Sequence, residues 1–254
     1  MRGLWLALAP GFGHDPAMIK RLTQVSAVLA ALSTAAMATA AVAEDAPVVV
    51  ELFTSQGCYS CPPADELLGE LAARKDVLPL AFHVTYWDRL GWPDTLGLEA
   101  GTARQEAYAR WMGTGRVYTP QMVVQGRIDV VGSQRSRVMR ALDIAADASG
   151  VRLDIDGAQV EIPAGSEAAT VWLATYDDVH EVPIERGENA GKTLTYHNAV
   201  RELTELGRYD GRAMSAELPL ARLAAEGRDG AAVLLQRKSD GAIIGAAKVA
   251  LPGG

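Results

Sequence analysis

Cys58 and Cys61 are the only two cysteines in a chain of 254 residues, and they stand close together as Cys58-Tyr59-Ser60-Cys61. A cysteine thiolate is a nucleophile, a metal ligand or one half of a disulfide. With no third cysteine, this pair bonds to itself, to another molecule or to a metal. A pair that opens and closes trades electrons with other thiols. One that stays shut is a structural staple, although a two-residue loop closes so little chain that the entropic gain is small. Two thiolates holding an ion select a soft one such as copper(I). They then need further ligands, and beyond residue 43 only His83, His180 and His197 supply imidazole.

The elements flanking the pair decide how reactive it is. The apolar run Val48-Val49-Val50-Glu51-Leu52-Phe53 leads into it and reads as a strand. Behind it, Ala64 to Arg74 reads as a helix, with Leu67, Leu68, Leu71 and Ala72 at helical spacing. Asp65 and Glu66 fall in the first turn, where the helix dipole favours them. A helix N-terminus lowers a thiol's pKa, so Cys58 is the expected nucleophile and Cys61 the buried resolving thiol. Gly57 is expected to leave the approach to Cys58 open. Pro62 and Pro63 suit a first turn but push the preceding residue out of α geometry. This sets the regular helix at Pro63, with Cys61 capping it, and reduces the dipole's help to Cys58.

Further strands are expected at Val77–Val84, Met122–Val124 and Ile128–Val131, the last two joined by a turn at Gly126-Arg127. Helices are expected at Thr102–Met112 and Ser136–Ala148. The order strand, helix, strand, helix, strand, strand, helix, with a Cys-x-x-Cys pair after the first strand, is that of a thioredoxin-like α/β domain. Here it spans 44–149, with an insertion over 86–115. Thr119-Pro120 precedes the third strand, where thioredoxin-like folds place a cis-proline facing the cysteines. Thr119 and Pro120 are therefore expected to shape a substrate groove. His83, Trp87, Asp88, Trp92 and Arg104 are candidates to line the site. His83 reads first as a hydrogen-bonded structural histidine in a strand. Asp88 and Arg104 form an ion pair beside the site or are two solvated charges. Trp87, Trp92 and Trp111 form an aromatic rim or a satellite core that anchors the insertion.

Near Ser149-Gly150 the pattern changes to alternation, over Val151–Ile155, Gln159–Ile162, Thr170–Tyr176, Lys192–Tyr196, Ala231–Gln236 and Ala242–Val249. With Asp-Gly turns at Asp156-Gly157 and Asp240-Gly241, this predicts a C-terminal antiparallel β-rich, sandwich-like domain over 150–254, its apolar strands packed on the first half. Gly187-Glu188-Asn189-Ala190-Gly191 lacks the spacing and the following Lys-Ser/Thr of a phosphate loop and reads as a turn between strands. No Gly-x-Ser-x-Gly accompanies His197.

Lys20 and Arg21, the apolar run Val25 to Met37 and the small-residue pattern Ala41-Val42-Ala43 predict a signal peptide over 1–43. Its apolar run is too short for a membrane span, and no stable span is expected after its removal. Met18 is a more regular start for such a leader, which leaves 1–17 as a candidate start-site artefact. The expected location is periplasmic or secreted, where a cysteine pair tends toward the disulfide. The formal charge is −7 and becomes more negative without the leader, which argues against nucleic acid or anionic lipid as a partner. The expected partner is a protein or small-molecule thiol or disulfide, with no cofactor or resident metal.

Beyond the leader the chain resembles an exported bacterial family, the domain-of-unknown-function family 1223. The match runs through Val50-Glu51-Leu52-Phe53-Thr54-Ser55-Gln56-Gly57-Cys58, Cys61-Pro62-Pro63-Ala64-Asp65, Phe82-His83-Val84, Tyr86-Trp87-Asp88, Leu90-Gly91-Trp92, Thr102-Ala103-Arg104-Gln105 and Tyr118-Thr119-Pro120-Gln121. It continues in Gly187-Glu188-Asn189-Ala190-Gly191 and Tyr196-His197-Asn198. The resemblance implies a thioredoxin-like fold and export, and supplies no activity. Thr85 stands where the family often has an acidic residue. Three functions stay open: a thiol–disulfide oxidoreductase in which Cys58 attacks and Cys61 resolves, a non-catalytic binding module with a structural disulfide, and a periplasmic copper carrier using Cys58, Cys61 and a histidine.

Overall fold

A computed structural model describes residues 46–147 and 150–251. The expected leader over 1–43 and the boundary at Ser149 lie outside the described residues. The apolar run at 48–54 forms strand β1 (Val48–Thr54), and all but its first residue is buried. A strand buried on both faces needs neighbours on both edges and cover on both faces. The edges are taken by β2 (Val77–His83), parallel, with Val48 opposite Val77 and Thr54 opposite His83, and by β3 (Gln121–Val124), antiparallel. A hairpin then adds β4 (Ile128–Val131). Helices α1 (Pro62–Ala72) and α3 (Arg135–Ala146) cover one face, packing Leu67, Leu68, Leu71, Val138 and Leu142 on Val50, Leu52 and Met122. Between β2 and β3 lie a 3₁₀ turn (Asp88–Leu90) and α2 (Glu99–Trp111).

The second half contributes β5 (Asp154–Asp156), β6 (Gln159–Ile162), β7 (Ala169–Pro183), β8 (Thr193–Tyr209), β9 (Met214–Glu217), α4 (Leu220–Ala225), β10 (Gly230–Arg237) and β11 (Ile243–Val249). It is β-rich and antiparallel, as expected. Most of it extends the first sheet, however. The order in the large sheet is β11-β10-β7-β8-β2-β1-β3-β4, and only β5, β6 and β9 form a separate small sheet. The link between halves is β8 lying parallel to β2 at Ala81 opposite Ala199. That ladder is short. Pro79 has no N–H to donate, and Asn198, at φ +48°, gives its side-chain Nδ2 to the Pro79 carbonyl at 2.8 Å.

Alternation along β10 shows how the cores divide. Ala232 and Leu234 join Phe53, Phe82, Tyr108 and Val200 in a cluster drawn from both halves. Ala231, Val233 and Leu235 face the other way, onto Ile162, Val171, Tyr209 and Leu223. The hairpin of β7 and β8 is 15 and 17 residues long, far beyond the short strands expected at 170–176 and 192–196. Charged residues at 177–181 and 201–208 break the apolar alternation that would have shown its length.

Candidate functional site

At the end of β1 the chain turns through Ser55, Gln56 and Gly57, all buried. The turn is closed by Cys58 N–H on Ser55 O at 3.1 Å and Cys61 N–H on Cys58 O at 3.3 Å. Cys58 and Cys61 form a disulfide. Helix α1 begins at Pro62, one residue before the expected start, with Cys61 as N-cap in α geometry (φ −79°, ψ −36°) despite the following proline. The Cys61 carbonyl accepts the N–H groups of Ala64 at 2.8 Å and Asp65 at 3.2 Å. The prolines have no N–H to leave unsatisfied at a helix start, which is why the first turn accepts both.

Two expectations about access are corrected. Cys58 is 1% exposed and Cys61 0%, so neither sulfur is the open one. Gly57 does not clear a path to Cys58. A Cβ there would lie 3.3 Å from Cβ of Trp87, so the glycine makes room for that tryptophan. The backbone around Cys58 is held from the second half. Asn189, in the turn joining β7 to β8 and 0% exposed, donates Nδ2 to Gln56 O at 3.0 Å and to Cys58 O at 2.9 Å. Its Oδ1 accepts from Lys192 Nζ at 2.9 Å. The Lys192 ammonium also sits 4.9 Å from the centre of the Tyr59 ring, and the Glu188 carboxylate accepts the Tyr59 N–H at 3.2 Å. Tyr59, at 67% exposure, and Ser60 are the parts of the motif that meet solvent.

Trp87 and Trp92 do flank the motif. Trp87 Nε1 donates to Thr119 Oγ1 at 2.9 Å and so ties the Thr119-Pro120 loop to the turn at Gly57. The Thr119–Pro120 peptide is cis. Gln105 steadies that loop through Tyr118 O and Gln121 Oε1, both at 2.7 Å. Trp92 Nε1 donates to Gln56 Oε1 at 2.9 Å. Trp111 is elsewhere, edge-on to Tyr108 and packed on Gly241, so the three tryptophans are not one cluster.

His83 is fully buried, with Nδ1 2.8 Å from Asp94 Oδ2. The same carboxylate accepts Gln56 N–H at 2.8 Å and Leu96 N–H at 2.9 Å. Burial pushes the Asp94 pKa up, but the charge and hydrogen bond of His83 and the two N–H groups together hold it below the ordinary value. Asp94 was not foreseen, because an aspartate after Trp-Pro reads as a turn residue. Asp88 supports it, accepting Asp94 N–H at 3.0 Å on Oδ1. The expected Asp88–Arg104 pair is not formed. Arg104 is buried on α2 and bonds Glu51 Oε1 at 2.6 Å, because a carboxylate buried in β1 needs a charged partner.

In the first turn of α1, Asp65 is 4% exposed and accepts from Thr54 Oγ1 at 2.7 Å. Burial, with help from the charges of Asp94 and Glu66, raises its pKa well above the ordinary range against the Thr54 hydrogen bond. A cavity of about 560 Å³ between α1 and β8 is lined by Pro62, Asp65, Gly69, Thr195 and His197. Among the described residues no three His, Cys, Asp or Glu side chains gather as a metal site. His180 bonds Asp177 at 3.0 Å, and His197 lies against Gly69. No described helix is long and apolar enough to cross a membrane.

The fold is shared with solved structures. The X-ray structure of protein AGR_C_4864 from Agrobacterium tumefaciens superposes with a TM-score of 0.72 at 36% identity, over 83% of this chain and 97% of that one. HBP35 of Porphyromonas gingivalis superposes with a TM-score of 0.54 at 15% identity, over 82% of this chain and 76% of that one. No curated protein matches the sequence. Residues 49–236, from β1 to β10 and including the cysteine pair, Thr119-Pro120 and Asn189, match the model described as "Protein of unknown function (DUF1223)", and the chain belongs to that family.

Proposed function

We propose that the protein exchanges thiols and disulfides through Cys58 and Cys61, on a thioredoxin-like frame and in a periplasmic or extracellular location. The observation that carries this reading is a disulfide in the turn from β1 to α1, tied through Trp87 to the Thr119-Pro120 loop. In the proposed reaction a partner thiolate attacks Cys58 Sγ. A partner–Cys58 disulfide forms as the Cys58–Cys61 bond breaks, and Cys61 leaves as a thiolate that takes up a proton. A second partner thiol then attacks its own mixed disulfide and releases Cys58. The partner loses two electrons as a new disulfide, and the pair gains them as two thiols. The N-terminus of α1 favours Cys61 as leaving thiolate. Its help is limited, since Pro62 and Pro63 supply no N–H. Thr119 and Pro120 border the groove for the protein or small-molecule thiol.

The burial of both sulfurs favours a second reading, in which the disulfide is structural and the protein is a binding module. Reduction potential and trapping separate the two. Exchange predicts a potential above roughly −300 mV and a Cys61→Ser variant that traps mixed disulfides where Cys58→Ser does not. A pair that stays oxidised below that potential, with neither variant trapping a partner, establishes the structural reading instead.

A further inference from the structure

We propose that the turn 187–192 is a releasable clasp, and that Asn189 is a positioning residue that sets how fast a thiol reaches the Cys58–Cys61 bond. The proposal rests on the exchange reading above. Asn189 spends both sides of its carboxamide here: Nδ2 on the carbonyls of Gln56 and Cys58, Oδ1 on Lys192. Glu188 holds the next peptide, at Tyr59 N. Together they fix the backbone on both sides of Cys58.

The clasp is built to lift as a unit. Its own backbone is closed by Gly191 N–H on Ile184 O and Ile184 N–H on Lys192 O, each at 2.8 Å. Gly187 and Gly191, at φ +82° and +81°, make the tight turn. None of those bonds has to break for the turn to rise from the motif. Only the side-chain contacts with residues 56, 58 and 59 do, and the outer ones, Glu188 on Tyr59 N–H and Lys192 over the Tyr59 ring, involve exposed charges of the weak surface kind.

A thiolate must approach sulfur along the S–S axis, opposite the leaving group. With Cys58 at 1% and Cys61 at 0% exposure no such approach is open in this structure, so in this proposal exchange runs through an open state in which the clasp has lifted from the Cys58 backbone. The observed rate is the intrinsic rate multiplied by the open fraction. Removing the Asn189 carboxamide raises that fraction.

The test is the rate of reduction of the oxidised, full-length protein by excess dithiothreitol, followed by tryptophan fluorescence. One thiolate of the reagent attacks Cys58 Sγ and Cys61 leaves. The second thiol closes the reagent into a cyclic disulfide and frees Cys58, so the reagent loses two electrons and the cysteines gain two electrons and two protons. Asn189→Ala is expected to speed reduction roughly tenfold, the effect of losing two modest hydrogen bonds. The Glu188→Ala/Lys192→Ala double variant changes only exposed side chains and is expected to speed it several-fold. In denaturant the variants and the wild type should converge on one rate. If both variants keep native circular dichroism and reduce at the wild-type rate, the clasp is refuted. The exchange reading then still stands if Cys61→Ser traps partners. If the variants reduce faster but no partner is trapped and the pair is too reducing for a glutathione pool, the clasp stands and the exchange reading falls.

Discussion

Replacing Arg104 with Met tests whether the buried network between the two halves is stabilising and remote from the disulfide. Arg104 gives Nε to Glu51 at 2.6 Å, Nη1 to Gln236 Oε1 at 3.1 Å and Nη2 to Tyr108 Oη at 3.2 Å. Its guanidinium also lies 5.6 Å from the Phe82 ring centre and 5.3 Å from that of Tyr108. Methionine fills much of the aliphatic space and removes every donor. Glu51, 0% exposed, then keeps only the Tyr108 hydroxyl as a partner. An uncompensated buried charge costs about 3–5 kcal/mol. For a domain of this size that is a drop of roughly 6–20 °C in Tm. Adding Glu51→Gln removes the stranded charge and should recover most of the loss, since replacing both partners is often close to neutral. Urea titration of the oxidised protein by fluorescence, run as a double-mutant cycle, measures both steps. Because Gln236 on β10 belongs to the network, one transition is expected for the whole described fold. A loss below about 1 kcal/mol for Arg104→Met, or no recovery on adding Glu51→Gln, refutes the reasoning. Dithiothreitol should reduce the variant at the wild-type rate below its unfolding range.

Asp65 has a raised pKa in the folded state, so the fold binds that proton more tightly than the unfolded chain does. Stability should therefore decline as pH rises from the ordinary carboxylate range through the raised value, and Asp65→Asn should flatten that slope in urea titrations from pH 4 to 8. Asp94 has the opposite sign. Its contribution is present above the unfolded value and lost as pH falls through the depressed one, and Asp94→Ala should cost about 3–5 kcal/mol at neutral pH by stranding His83 and two N–H groups. Gly187→Ala places a Cβ 3.3 Å from Trp92 Cβ at φ +82°. It should cost about 1–2 kcal/mol, and by loosening the turn should also speed reduction by dithiothreitol; a variant as stable as wild type counts against the strained geometry.

Local patterns announced much of this fold. The apolar run 48–53, the leucines of α1 and the hairpin at 122–131 carry periods that depend only on near neighbours, and their elements form within a residue or two of the expected places. The pairing of β8 with β2 was not legible, because strand order in a sheet is decided by partners distant in the chain. The same applies to the site. The cysteines announce themselves by spacing and Trp87 and Trp92 by type, but nothing near Asn189 says that its amide will seat on Cys58. Arg104 lies within the 86–115 insertion that also carries Trp87, Asp88 and Trp92, and its type and place there suggest a site-lining charge. A buried glutamate in β1 draws it into the core instead, and the one acid in that apolar run, Glu51, is the signal in the sequence that a buried cation must face it.

The short parallel contact between β2 and β8 also sets an order of events. Pro79 and Asn198, joined by a hydrogen bond, are 119 residues apart in the chain. At synthesis rates of 5–20 residues per second, β2 waits roughly 6–24 s for its second neighbour. Throughout that wait its outer edge is a bare apolar template for another chain. Cys58 and Cys61 are made before β2, and the turn carrying Asn189 arrives only with β8. The pair therefore exists first without the Asn189 bond to the Cys58 carbonyl, which forms only when the second half docks. Docking of the second half is then also the step that ties down the backbone beside the sulfurs.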